Sequence, residues 1–527
     1  MTKLQKQFLT LPAVILFTLL LGIFFRFYHL DYKVYWHDEV FTSVRATGQT
    51  GESIGKRLEQ QGIFRAGDLR QYQQLRPDHG WDDTLTALQG HPEHPPLYYL
   101  GTRLWMELFG SSVAATRSFA AVISLLTFPC LYWLCLELFA SRLAGGVAIA
   151  LFAVSPFQVL YAQEARQYSL WTVLVLLSSA VLLWARREST PKKWVAYSAT
   201  VALGLYTSLF FIFTLLSHGL YILLVNGIRH KVMRFYAIAT SMALFSFIPW
   251  LIVIVRHKTE FEEKTAWTKS PASLDFLAKL WGLHISSGFL DPGFPLEHPY
   301  TYLIPPFFVA LVLGAGWVVC RKTAKQVWLF ILLMIGVNVG MLVLPDLVFG
   351  GLRSASSRYY VPTYIGVQLL VSFWVAYGLS HSRVFMQRVG RFMFAGLLIL
   401  GVVSCAISSQ TAAWWNKGLS YNNPAAAQIV NQADRPLVLL NTTGDTLGNA
   451  ISLSYLLKPD VALQLVKNGQ ISEIPAAACD VFLYYPSEQL SQNVKQLYAG
   501  RVEFVEVENE LVHVQRSGVD CNRLNRK

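Results

Sequence analysis

The chain has 527 residues, of which 53% are hydrophobic, 14% aromatic and only 14% charged, with a formal net charge of +12. That balance, with a mean hydropathy of +0.38, describes a polytopic membrane protein and excludes an ordinary soluble enzyme. The Lys and Arg residues fall in short clusters between apolar runs, which is the positive-inside arrangement and not a nucleic-acid face, so no nucleic-acid partner is expected.

The first apolar run, 8–28, follows Lys3 and Lys6 and is long enough to span about 30 Å of hydrocarbon. No Ala-x-Ala-like cleavage site follows it, so an uncleaved helix with a cytoplasmic N-terminus is expected, with Arg26, Tyr28 and His29 as its interfacial anchor. Further apolar runs lie at 113–138, 143–162, 168–186, 194–207, 208–226, 234–255, 301–319, 327–345, 361–380 and 392–410, which makes about eleven spans. The segment 95–109 reaches only about 22 Å as a helix and is expected to be partial or juxtamembrane, because counting it as a span would put every later basic cluster outside.

This topology predicts a transmembrane domain over 1–410 with extracytoplasmic loops 29–94, 256–300 and 346–360, and an extracytoplasmic α/β domain over 411–527. In the tail, Asn423-Pro424 opens a polar helix, strands are predicted at 436–441, 479–485, 501–507 and 511–514, and helices near 446–457 and 487–499. Cys479 and Cys521 share that domain and could pair, and Asn441-Thr442-Thr443 matches a glycosylation sequon. The cytoplasmic loops hold no glycine-rich phosphate loop, so no nucleotide cofactor is expected.

Three motifs then fall on the outer surface: Asp38-Glu39 early in the first loop, His91-Pro92-Glu93-His94-Pro95-Pro96 at its end, and Gln163-Glu164-Ala165-Arg166-Gln167-Tyr168 between two spans. Asp38 and Glu39 read either as acids capping a helix that begins near Val40 or as a base or metal ligand at the bilayer surface. Glu93 and His94 read as an interfacial turn before the double proline or, more weakly, as part of a metal site. Glu164 and Arg166 form either a surface ion pair of little worth, or a functional pair in which Glu164 faces Asp38, sharing a divalent metal or setting its pKa, while Arg166 meets an anion. A fourth element, Arg353 and then Arg358-Tyr359-Tyr360-Val361-Pro362, places arginines at the outer face against the charge bias; phosphate binding and interfacial snorkelling both account for that.

In that order, Asp-Glu after the first span, His-Pro-Pro-Leu-Tyr-Tyr, Gln-Glu-Ala-Arg-x-Tyr and Arg-Tyr-x-x-Pro over roughly 8–380, the chain resembles the protein O-mannosyltransferases and lipid A aminoarabinose transferases. These are polyprenyl-phosphate-sugar glycosyltransferases of the C-type membrane fold, in the glycosyltransferase family 39 mould. The resemblance implies that Asp38 is the catalytic carboxylate and Glu39 its supporting neighbour. Glu164 matches a second acid that in some relatives contributes to a metal site, so a divalent ion on Asp38 and Glu164 is left open. It also implies that Arg166, Arg358, Tyr359 and His94 meet the donor phosphate, with His94 where the aminoarabinose transferases carry Lys, and that Glu93 and Tyr168 support the site or the acceptor. The expected activity is inverting transfer of one sugar from a polyprenyl-phosphate donor to an acceptor hydroxyl of a protein, lipid A or an envelope glycan, at the periplasmic face of a bacterial inner membrane. A transporter or flippase of a lipid-linked sugar is the alternative; it would place ionisable groups near the bilayer midplane with repeat symmetry, and the acids here gather at one surface.

Overall fold

The computed structural model describes residues 3–441, 446–467, 471, 474, 478, 480–497, 502–508 and 510–516. Its backbone is mostly helical, and each of the eleven expected apolar runs is helix over most of its length. Among the described residues, seven helices are long and apolar enough to cross a membrane, and a bent pair makes an eighth. The expected count of eleven is therefore not established. Leu11–Phe27 and Phe211–Asn226 are shorter apolar helices, and Pro191–Leu205 has only 15 residues. The chain is a multi-pass membrane protein. Leu97–Phe109 has 13 residues, in keeping with a helix too short to span.

The run 143–162 is not one straight span. It breaks into Arg142–Ala153 and Pro156–Ala162, which meet at 61°. Pro156 opens the second piece, where its missing N–H costs nothing, but it cannot continue the first. The break exposes the last carbonyls of Arg142–Ala153, and these need donors. Arg26 supplies them: one terminal nitrogen lies 2.6 Å from the Ala153 carbonyl oxygen and the other 3.4 Å from that of Phe152. Arg26 is thus buried and is not the interfacial anchor expected from its position at the end of the first run. A guanidinium at a helix C-terminus also meets the negative end of its dipole. Gly22, one turn earlier, permits the approach, since a Cβ there would lie 2.4 Å from the Ala153 oxygen.

The chain divides into two compact units: Met1–Tyr28, Leu88–Tyr98 and Arg117–Gln410 in one, and His29–Ala87, Tyr99–Thr116 and Thr411–Lys527 in the other. The second unit thus joins most of the first loop to the tail. It is built on a six-stranded sheet whose strands are β1 (Ile63–Arg65), β2 (Leu437–Asn441), β3 (Ala462–Val466), β4 (Val481–Tyr484), β5 (Val502–Glu508) and β6 (Leu511–Arg516), in the spatial order β1-β3-β2-β4-β6-β5. β2 pairs in parallel with β3 and β4, and the remaining pairings are antiparallel. Every residue of β2 and β4 is buried, as central strands covered on both faces require. Leu439, Val481, Leu483, Leu490 and Val494 form the core between the sheet and the helix Glu488–Leu497.

The four predicted tail strands are present, as are the helices Asn423–Gln432, Thr446–Ser454 and Glu488–Leu497. β3 was not predicted, and β1 comes from the first loop to pair with it, Phe64 opposite Leu463. Cys479 and Cys521 lie outside the described residues, as do Thr442 and Thr443 of the sequon.

Candidate active site

Asp38 and Glu39 occupy the first turn of the helix His37–Ala46, where carboxylates suit the positive end of the dipole. The two acids face different surroundings. Asp38 is half-buried, whereas Glu39 is fully buried and pairs with Lys417, whose Nζ lies 3.3 Å from Glu39 Oε2 and is itself only 1% exposed. The Lys417 ammonium also lies 6.0 Å from the Trp36 ring centre. A buried pair of this kind constrains geometry strongly, because removing one partner of a buried ion pair is costly. Lys417 carried no signal in the sequence; it lies nearly four hundred residues away, within the turn Trp415–Ser420.

Other contacts fix the same helix. The His37 backbone N–H donates to Ser420 Oγ at 3.0 Å, and the Ser420 hydroxyl in turn meets Asn449 Oδ1. At the far end, Arg103 donates to the Ala46 carbonyl at 3.3 Å and to Thr84 Oγ1 at 2.8 Å, closing the helix C-terminus. Asp38 therefore stands half-buried on a helix held at both ends.

The remaining candidates belong to the other unit. Glu93 lies between two imidazoles, 3.4 Å from His91 Nδ1 and 3.6 Å from His94 Nε2. Pro95 and Pro96 follow directly, and the segment is tied down by Trp250 Nε1 on the Pro92 carbonyl (3.2 Å) and Leu97 N–H on the Tyr206 carbonyl (3.0 Å). His94 thus faces an acid. His91 belongs to this group as much as His94 does, a role the sequence comparison with a Lys position did not suggest.

The turn 163–167 follows the bent helix pair. Gln163 Nε2 donates to the carbonyls of Phe25 and Tyr28, at 2.7 and 2.9 Å, and so fastens the turn to the end of the first helix. The turn closes through the Arg166 N–H on the Glu164 carbonyl at 2.7 Å. Glu164, Arg166 and Tyr168 are all buried, so the reading of Glu164 and Arg166 as an exposed surface pair fails. The Arg166 guanidinium sits 6.0 Å from the Tyr168 ring centre, and Tyr168 packs edge-on against Tyr161 at 5.0 Å.

Tyr161, which the sequence reading passed over inside an apolar run, connects this turn to the fourth motif. Its hydroxyl is 3.0 Å from Ser357 Oγ, and it lies within electrostatic range of both Glu164 and Arg358. Arg358 stacks near Tyr359 (5.6 Å), and Tyr359 in turn contacts Phe210 at 4.4 Å. The two outer arginines then separate by role. Arg353 pairs with buried Asp346 at 2.9 Å, and Asp346 also accepts from the Ser354 N–H and hydroxyl at 2.7 Å each. Arg353 is a loop clamp, whereas Arg358 lies near Tyr161, which also meets Ser357 and packs on Tyr168.

Among the described residues, no three His, Cys, Asp or Glu side chains gather as a ligand set for a metal ion. Asp38 and Glu164 belong to different units.

Residues 93–253 match the family described as dolichyl-phosphate-mannose-protein mannosyltransferase. No curated protein matches the chain significantly. Among solved structures, the chain superposes on ArnT from Cupriavidus metallidurans in the apo state with a TM-score of 0.52 and 12% identity, over 97% of this chain and 98% of that one. The same protein bound to undecaprenyl phosphate gives 0.50 and 14%, again over 97% and 98%. The archaeal oligosaccharyltransferase AglB from Archaeoglobus fulgidus, in complex with an inhibitory peptide and a dolichol-phosphate, gives 0.50 and 10%, over 98% and 75%. The chain has the C-type glycosyltransferase fold. Within that fold, the family-matched segment holds Glu93, His94, Glu164, Arg166 and Tyr168; it begins after Asp38 and ends before Arg358.

Proposed function

We propose that the protein transfers a sugar from a polyprenyl-phosphate donor to an acceptor hydroxyl at the outer face of the membrane, with inversion at the anomeric carbon. The observation that carries this reading is the buried group formed by Glu164, Arg166 and Tyr168 with Tyr161 and Ser357, beside the half-buried Arg358. Two guanidiniums, those of Arg166 and Arg358, belong to these surroundings. Fixed guanidiniums of this kind suit a phosphate that gains charge as it leaves. The solved structures of the same fold with undecaprenyl phosphate and dolichol-phosphate support a lipid phosphate as that group.

In this reading Asp38 accepts the proton of the acceptor hydroxyl as its oxygen forms a bond to the anomeric carbon, and the bond from that carbon to the lipid phosphate oxygen breaks on the opposite face. The electron pair of the broken bond leaves with the phosphate, whose added charge Arg166 and Arg358 hold, with His94 as a further donor. Glu39 serves Asp38 indirectly, by fixing its helix through Lys417. Asp38 and Glu164 are the carboxylates that a divalent ion would use, but no step here needs one. Transfer is expected to survive EDTA, and a loss reversed by added Mg²⁺ or Mn²⁺ would bring those two back as ligands.

The test is to incubate the purified full chain in lipid vesicles with radiolabelled polyprenyl-phosphate sugars and to fractionate protein, lipid A and glycan. Label leaving the donor for one of these fractions supports the reading and names the acceptor class. Label that only crosses the bilayer, still on its lipid, would identify a flippase.

A further inference from the structure

The helix Tyr168–Arg187 has 20 residues, so its two ends lie about 30 Å apart. It starts at the buried Glu164 and Arg166 turn and ends in Arg186 and Arg187, on the opposite face of the membrane domain. There the ends of several helices surround an open pocket of about 490 Å³, within the size range of small-molecule sites. Its charged lining is Arg186, Arg187, His230, Lys231 and a single acid, Glu137.

That acid is already engaged. Glu137 Oε2 takes Arg187 at 2.8 Å, and Oε1 accepts from Trp133 Nε1 at 3.1 Å. Arg186 donates through Nε to Asn226 Oδ1 at 3.2 Å, and its guanidinium lies 5.5 Å from the Tyr221 ring centre. Among the described residues, neither Arg186 nor Lys231 has a carboxylate in salt-bridge range, so two cations stand unneutralised in one concavity.

The helix starts add to this. Lys231–Arg256 and Lys325–Phe349 both begin with Lys and carry no acid in the first turn, against the ordinary preference of helix N-termini. The second lacks a side-chain cap as well, and its Gln326 and Val327 line the pocket. The positive-inside bias explains cations on this face, but not why they converge with an uncapped helix start around a pocket. An anion explains both.

We infer that this pocket binds the phosphate headgroup of an anionic glycerophospholipid. The pocket opens at the ends of membrane helices, where lipid phosphates lie. Leu216, Leu223, Leu224 and Ile228 remain exposed along and just beyond the adjoining helix Phe211–Asn226, as acyl chains would require. The site is separate from the transfer chemistry and stands whether or not that assignment holds.

The test is native mass spectrometry of the full chain in detergent, titrated with phosphatidylglycerol or phosphatidylcholine. Phosphatidylglycerol is expected to bind at one preferred site. Lys231→Gln should weaken it about fivefold, and Arg186→Gln with Lys231→Gln about twentyfold, from the contribution of each basic residue near a lipid surface. Should the double variant misfold, Lys231→Gln and Lys231→Glu, at an exposed position, carry the test alone. Equal binding of the two lipids, or unchanged binding in the variants, overturns the inference. Displacement of phosphatidylglycerol by millimolar inorganic phosphate also overturns it, because the pocket would then be a site for soluble phosphate.

Discussion

At the scale of the residue, the adjacent acids Asp38 and Glu39 differ because one is half-buried and the other meets Lys417 in the interior. Asp38→Asn keeps the shape and removes the base; transfer should fall by about 10²–10⁴-fold with little change in thermal stability. Glu39→Gln should act in the other order. It removes the charge that Lys417 Nζ meets at 3.3 Å in the interior, and unfolding in detergent should register a loss of about 3–5 kcal/mol. Replacing both, Glu39→Leu with Lys417→Met, should recover most of that loss, which a purely catalytic Glu39 would not permit. The two outer arginines divide similarly. Arg358→Ala is expected to raise the donor KM while leaving the melting temperature nearly unchanged. Arg353→Ala should lower stability by about 1–3 kcal/mol, because buried Asp346 loses a partner, while donor affinity holds.

At the scale of the element, position depends on a few close contacts. Gly448 in the helix Thr446–Ser454 packs directly on the helix that carries Asp38: a Cβ there would lie 2.5 Å from His37 Nδ1 and 2.5 Å from a Phe41 ring carbon. Gly448→Ala should therefore cost about 1–3 kcal/mol and reduce transfer about tenfold through displacement of the Asp38 helix, while donor binding persists. Arg26 does similar work at the bend between Arg142–Ala153 and Pro156–Ala162. Arg26→Met should destabilise the membrane unit by about 3 kcal/mol, seen as a lower melting temperature, since it strips donors from buried carbonyls. These contacts also show where a sequence stops being legible. Apolar runs located the eleven membrane-domain stretches as helix, and alternation located four of the tail strands but not β3. Neither could show that Pro156 turns a run into two pieces at 61°, because the bend depends on Arg26, more than a hundred residues earlier. β1 has three residues, too few to carry a pattern, and exists because β3 offers it an edge.

For the whole molecule, the sequence suggested a membrane domain followed by a soluble tail, and the structure joins the tail to most of the first loop in one compact unit. The loop supplies β1 and the helix of Asp38, and the tail supplies Lys417, Ser420 and Gly448 around that helix. The tail is thus part of what holds the proposed base in position. Motif order pointed to Asp38, Glu164, Arg166 and Arg358, because each sits in a short, chemically unusual string. Tyr161 and Lys417 were invisible by the same measure: a tyrosine in an apolar helix and a lysine in a polar turn carry no pattern of their own. The central claim, that Asp38 takes the acceptor proton from a lipid-phosphate sugar reaction, is tested most directly by following transfer from a radiolabelled polyprenyl-phosphate sugar in vesicles by wild-type protein and Asp38→Asn in parallel, with donor binding measured on both. The account predicts that the variant binds the donor like wild type yet transfers at least about a hundredfold more slowly; transfer at near the wild-type rate would contradict it.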